Sequence, residues 1–188
     1  MSISPIGVSR IVPKSEAMFG IYREITDLGC SQVRERVLKD GSRVLLGYNE
    51  GSKFANVAQK YTPQGWMQRQ NFFLNDVYGK NAQLREVHNE KIWYNKIGDV
   101  LKSTFKIRNY DNGELVKKQN VLTDIIAGVE KSVTEFTDKL TLNDSKAVAK
   151  ITKERIDPFY FVETHLNKDG KIFTNEKFVI GDPVMWKY

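Results

Sequence analysis

Apolar side chains recur at steps of three and four residues in several stretches, which is the spacing that places them on one stripe of an α-helix. The longest such stripe lies in Asp124–Leu140, with Thr123 as its N-cap. It consists of Ile125, Ile126, Val129, Val133, Phe136 and Leu140. Ser15–Leu28 has the same pattern and is followed by Gly29, a residue that commonly ends helices. Shorter helices are predicted over Ser52–Tyr61, Asn81–Tyr94 and Asp144–Arg155.

Strand-like sequence flanks three short turns that contain Asp or Asn followed by Gly. Such dipeptides favour tight hairpin turns, because these turns need positive φ at their central residues. In one of these stretches Phe105 and Ile107 alternate with polar residues, which is the period of a half-buried strand. The predicted hairpins are Gln32–Tyr48, Ser103–Leu122 and Phe159–Ile180.

Hairpins that follow one another along the chain favour antiparallel pairing, and no strand–helix–strand alternation indicates a parallel sheet. The predicted fold class is therefore α+β, an antiparallel sheet of about three hairpins with helices packed on one face. A length of 188 residues suits one domain. We expect an N-terminal arm over 1–14 and a single α+β domain over 15–188.

Composition supports a globular protein, with 40% hydrophobic and 28% charged residues. The mean hydropathy is −0.46, and no apolar run approaches the roughly 18 residues that a membrane span needs. The N-terminal segment lacks the basic head and apolar run of a secretory signal, which favours a protein of the cytoplasm or of an assembled particle and leaves open export by another route. The single cysteine, Cys30, excludes an internal disulfide framework and a cysteine-rich zinc site.

The sequence contains two histidines, and each lies two residues from a glutamate. His88 precedes Glu90 and His165 follows Glu163; in strands, each pair would share one face. A metal site built from both pairs stays open as an alternative, although nothing in the sequence brings the pairs together. No phosphate-binding or cofactor motif is present. We therefore assign no catalytic residue, metal or cofactor, and the prediction leans against an enzyme.

Aromatic residues alternate with basic ones between residues 66 and 80, and two more aromatics lie near the end of the sequence. Large aromatic side chains fill cores, but they are also typical anchors of protein interfaces. Our first hypothesis is a non-catalytic interaction or assembly protein, a subunit of a larger complex such as a phage or viral structural component, or a secreted partner-binding protein. We expect it to bind a protein partner or to self-associate. The predicted protein-contact residues are Trp66, Phe72, Phe73, Trp186 and Tyr188.

The alternative hypothesis is a nucleic-acid-binding domain, including a nuclease. The chain has 29 Lys and Arg against 23 Asp and Glu, so its formal charge is +6. Lys106 and Arg108 would share one face of a strand, where they could contact successive phosphates. The candidate nucleic-acid-binding residues are Lys102, Lys106, Arg108, Lys117 and Lys118.

Overall fold

The computed structural model describes residues 9–75 and 84–179. Within these ranges the chain forms a twelve-stranded sheet whose spatial order follows the order of the strands along the chain. The strands are β1 Ser9–Ile11, β2 Gln32–Val37, β3 Arg43–Tyr48, β4 Val57–Tyr61, β5 Met67–Asn75, β6 Leu84–Tyr94, β7 Val100–Asp111, β8 Glu114–Asp124, β9 Val129–Phe136, β10 Lys150–Arg155, β11 Tyr160–Leu166 and β12 Ile172–Val179. The helices are α1 Lys14–Ala17, α2 Gly20–Asp27 and α3 Lys139–Asn143.

The chain divides into two compact units. Unit 1 is Met1–Leu74 with His88–Ile92, and unit 2 is Asn75–Val87 with Trp93–Tyr188.

Unit 1 has a small apolar core between α2 and the first strands. Ile25 of α2 is fully buried and packs with residues of β2 and β3. The buried core residues are Val12, Ala17, Ile25, Cys30, Val33, Leu45, Val57 and Tyr61. Alternation along β4, where every second residue is buried, directs one face of that strand into this core.

Unit 2 is dominated by long antiparallel strands. β7 and β8 have 12 and 11 residues and form a long hairpin. Its turn contains Asn112 and Gly113, with φ of 47° and 81°, so the sequence places an Asn and a Gly where positive φ is needed. β9, β10, β11 and β12 extend this sheet by antiparallel pairing.

The predicted fold class, α+β with helices packed on a sheet face, is wrong, because the fold is mostly antiparallel β. The three predicted hairpins do form, as the pairs β2–β3, β7–β8 and β11–β12. Ser15–Leu28 is helical in two short pieces, α1 and α2.

The other four predicted helices are wrong. Most of their residues lie in β4, β6, β9 and β10 and in the neighbouring turns, and residues 81–83 lie outside the described ranges. Of the predicted helix Asp124–Leu140, Asp124 is the last residue of β8 and Lys139 and Leu140 are the first two residues of α3. The physical reason is visible in Val129 and Val133, which are four residues apart and therefore share a face in a strand as well as in a helix. Pairing with β8 and β10 then settles the structure as a strand.

None of the helices in 9–75 and 84–179 has the length and apolar content that a membrane-crossing helix requires. The division into an arm, 1–14, and one domain, 15–188, stays a prediction. Residues 1–8 lie outside the described ranges, and the next three residues form β1, which pairs with β2.

Candidate protein-contact surface

The predicted aromatic anchors do not share one described surface. Trp66 is half-buried just before β5, where its backbone carbonyl accepts a hydrogen bond from Thr62 N. Phe72 packs against the core of unit 1, whereas Phe73, its neighbour on β5, is 36% exposed. Successive residues of a strand point to opposite faces, so these two rings diverge. Trp186 and Tyr188 lie outside the described residues, and the assignment of all five stays a prediction.

The candidate nucleic-acid-binding residues lie on the β7–β8 hairpin. Register places Lys102, Lys106, Arg108 and Lys118 on one face and Lys117 on the other. Two of these charges already have acidic partners: Lys102 Nζ is 3.5 Å from Asp124 Oδ2, and Lys118 Nζ is 2.6 Å from Glu135 Oε2. The hairpin therefore presents less uncompensated positive charge than its sequence indicates.

The two histidine–glutamate pairs lie on different strands, His88 and Glu90 on β6, and Glu163 and His165 on β11. Glu163 is buried, which raises its pKa, but hydrogen bonds from Lys153 and His165 outweigh burial and lower the pKa overall. No cluster of three or more His, Cys, Asp or Glu is placed to hold a metal ion within the described part of the chain. The structure thus gives Glu163 an ion-pairing role inside unit 2.

Three turns of unit 2 lie side by side at one end of the sheet, because alternate turns of an antiparallel meander fall at the same end. They are the β6–β7 turn at residues 95–99, the β8–β9 turn at 125–128 and the β10–β11 turn at 156–159. Ile125 N donates to the carbonyl oxygen of Leu101, which ties the second turn to the start of β7. Successive turns are two strands apart, which corresponds to roughly 10 Å.

These three turns expose large apolar side chains, and we call this group of five residues the apolar end. It consists of Ile97, Ile125, Ile126, Ile156 and Phe159, with exposures of 81%, 61%, 78%, 51% and 69%. At the opposite end, the β7–β8 and β11–β12 turns are polar, although Leu140 and Leu142 of α3 and Ile172 at the start of β12 are exposed there, at 85%, 46% and 55%. Exposed apolar side chains that are grouped at one end of a domain mark contact sites more often than isolated ones do.

Aspartates at two of these turns accept hydrogen bonds from backbone amides. The exposed apolar residues lie on the same turns. Asp124 Oδ1 accepts from Ala127 N at 3.0 Å. Asp157 Oδ1 accepts from Phe159 N at 2.7 Å and from Tyr160 N at 2.9 Å. These are Asx-type turns, in which a short carboxylate replaces the missing sheet hydrogen bonds. The exposed isoleucines and phenylalanine therefore lie on turns that hydrogen bonds hold in place.

A groove of about 410 Å³ separates the β8–β9 turn from the β10–β11 turn. Ile125 and Ile156 are among its apolar lining residues. Its charged lining residues are Asp124, Glu130, Arg155 and Asp157. Arg155 Nη1 is 3.1 Å from Glu130 Oε2, so these two lining residues form an ion pair.

Sequence reasoning missed the apolar end, because it assigned Ile125 and Ile126 to the buried stripe of a helix. The available signal was Gly128, which follows them in a positive-φ conformation of 66° and fits a turn better than a helix interior. No family model, curated protein or solved structure matches this chain.

Proposed function

We propose that this chain is a non-catalytic protein-interaction or assembly protein that docks on a partner protein through the apolar end. The observation that carries the proposal is the row of five exposed apolar side chains on three neighbouring turns of unit 2. This surface replaces the aromatic residues as the favoured contact site within the described part of the chain.

A row of apolar side chains left in water is unfavourable, and a partner that covers it gains free energy. Burying apolar surface stabilises a complex by about 25 cal/mol per Å², or about 1.5–3 kcal/mol for each fully buried Ile or Phe side chain. Ile126 and Phe159 are 78% and 69% exposed, so most of this gain is still available to a partner. Because hydrogen bonds hold the β8–β9 and β10–β11 turns, little conformational entropy is lost on docking.

A partner protein is favoured over a lipid surface by the charge and shape of this end. The groove between the turns is lined by three carboxylates and one guanidinium. Anionic head groups would be repelled by these carboxylates, and insertion into a bilayer gains nothing from a groove. A protein segment can fill the groove and bury both of its apolar walls.

Nucleic acid is disfavoured for a related reason. Lys102 and Lys118 of the β7–β8 hairpin are paired with Asp124 and Glu135, which reduces the number of phosphates that the hairpin could neutralise.

The test is a comparative pull-down from cells that naturally produce the protein. The full-length chain is compared with the double variant Ile126→Ser/Phe159→Ser and with a matched control, Leu140→Ser, whose side chain is 85% exposed at the opposite end of the sheet. Any protein that the double variant loses is purified, and its direct binding is measured by calorimetry. We expect the double variant to bind at least tenfold more weakly than the wild type, and the control to bind as the wild type does.

Two outcomes would contradict the proposal. One is a set of partners that is the same for the wild type and the double variant. The other is binding to phosphatidylcholine or phosphatidylserine vesicles that depends on Ile126 and Phe159, which would make this end a membrane-contact surface.

A further inference from the structure

We infer that the partner inserts a lysine or arginine side chain, flanked by apolar residues, into the groove between the β8–β9 and β10–β11 turns, where Asp157 receives its charge. This inference rests on the proposed function, since it names the chemistry of the partner at the apolar end.

The groove is lined by more acidic than basic side chains. Asp124, Glu130 and Asp157 face one lining guanidinium, that of Arg155, in a chain whose overall formal charge is +6. Glu130 is neutralised by Arg155, and Asp124 is partly neutralised by Lys102 at 3.5 Å. Asp157 has no basic side chain within ion-pair distance among the residues that the structure describes.

The hydrogen bonds that Asp157 accepts use only one of its two carboxylate oxygens among the described residues. Both of its recorded bonds, from Phe159 N and Tyr160 N, end on Oδ1. Oδ2 accepts no hydrogen bond from the described residues. Asp157 as a whole is half-buried, so a cation that reaches its side chain loses part of its contact with water.

The side chains near that carboxylate include three large apolar ones. Ile156 and Phe159, which flank it in the turn, are 51% and 69% exposed, and Ile125 lies in the wall of the groove. Lysine and arginine have an aliphatic stem that packs on apolar surface while the charged head reaches a polar group. A charged contact ringed by apolar contacts that exclude water is also the usual arrangement of an interface hot spot.

The experiment selects peptides from a phage-displayed library of random twelve-residue sequences on the full chain. Peptides that also bind Ile126→Ser/Phe159→Ser are removed first, so that those retained depend on the apolar end. We expect the retained peptides to be enriched in Lys or Arg next to apolar residues. Their affinity should fall when the salt concentration rises, because part of the attraction is electrostatic.

A charge-only variant then tests Asp157 itself. Asp157→Asn keeps an oxygen that can accept from Phe159 N and Tyr160 N, so the turn is preserved while the charge is removed. We expect it to weaken binding of the retained peptides at least tenfold. The matched control, Asp111→Asn in the exposed β7–β8 turn, should bind as the wild type does. Equal urea midpoints for all three proteins would show that the fold is intact.

The outcomes separate this inference from the proposed function. Retained peptides that are neutral or acidic, or an Asp157→Asn variant with wild-type affinity, would overturn the inference and leave docking at the apolar end standing. A selection that yields no peptide dependent on Ile126 and Phe159 would count against both.

Discussion

Arg155 Nη2 donates to the carbonyl oxygen of Pro158 at 3.2 Å, and this bond fastens the β10–β11 turn to the end of β10. The same guanidinium donates from Nε to the carbonyl oxygen of Asp157, also at 3.2 Å, and from Nη1 to the carboxylate of Glu130. One planar side chain thus reaches two backbone acceptors and one carboxylate. The position of Phe159 at the tip of the turn depends on this arrangement.

Replacing Arg155 with lysine should loosen the turn. A single ammonium cannot reach the three acceptors at once, so we expect Arg155→Lys to lower the free energy of unfolding by about 1–2 kcal/mol. Urea denaturation measures this loss, and hydrogen exchange should show faster exchange at the amides of Phe159 and Tyr160. The control is Lys139→Gln, which removes an exposed ion pair with Glu114 and should cost less than about 0.5 kcal/mol. Equal losses in the two variants would contradict the argument.

Gly47 of β3 is required because α2 and Cys30 pack directly against its backbone. A Cβ at this position would lie 2.6 Å from Cys30 Sγ and closer still to Ile25 Cγ2. We expect Gly47→Ala to cost about 1–3 kcal/mol of unfolding free energy, the usual cost of overpacking a core. In a double-mutant cycle with Cys30→Ala, which removes Sγ, the cost should fall by more than about 0.5 kcal/mol. Strict additivity would mean that the strain comes from the contact with Ile25 and not from that with Cys30 Sγ.

The hairpins could be predicted from sequence because their turns have a local chemical signature. Asn112-Gly113 needs no information from the rest of the chain to adopt positive φ. The helices over Asn81–Tyr94 and Asp124–Leu140 could not be excluded in the same way, since residues four apart share a face in both structures. Long-range pairing, such as that of β9 with β8 and β10, decided between them.

The proposed contact surface was harder to predict than the hairpins. Ile97, Ile126 and Ile156 are about thirty residues apart along the chain, and only the register of the sheet brings their turns to one end. The sequence drew attention to aromatic residues instead, because these are common interface anchors. Phe72 shows why this signal is ambiguous, since it packs against the core of unit 1.

The apolar end should contribute little to folding. Ile126 and Phe159 are largely exposed, so Ile126→Ser and Phe159→Ser should each change the unfolding free energy by less than about 0.5 kcal/mol. Ile25→Ala, which truncates a fully buried side chain, should cost about 2–5 kcal/mol. Urea denaturation at neutral pH distinguishes the two classes. A large loss of unfolding free energy in either serine variant would indicate that these side chains stabilise the fold and are not an unoccupied contact surface.

Stability at low pH should depend on Glu35, which is 3% exposed and lies between two arginines. Its carboxylate is 2.8 Å from Arg10 Nε and 3.1 Å from Arg43 Nη1, and it accepts a hydrogen bond from Tyr22 Oη at 2.8 Å. Burial raises its pKa, but the hydrogen bonds from Tyr22 and Arg10 and the two positive charges outweigh burial, so the pKa is lowered overall.

A carboxylate with a lowered pKa in the folded state stabilises the protein above its unfolded pKa, about 4.3 for Glu, and this stabilisation is lost as the pH falls through the folded value. Glu35→Gln removes the charge but keeps the size of the side chain. We expect the wild type to exceed this variant by about 1–3 kcal/mol at pH 7, since removing one partner leaves buried groups poorly satisfied. Urea denaturation from pH 7 to pH 3 should show the difference shrinking below about pH 4.3. A difference that stays constant over this range would mean that Glu35 stabilises the fold by packing and not by its charge.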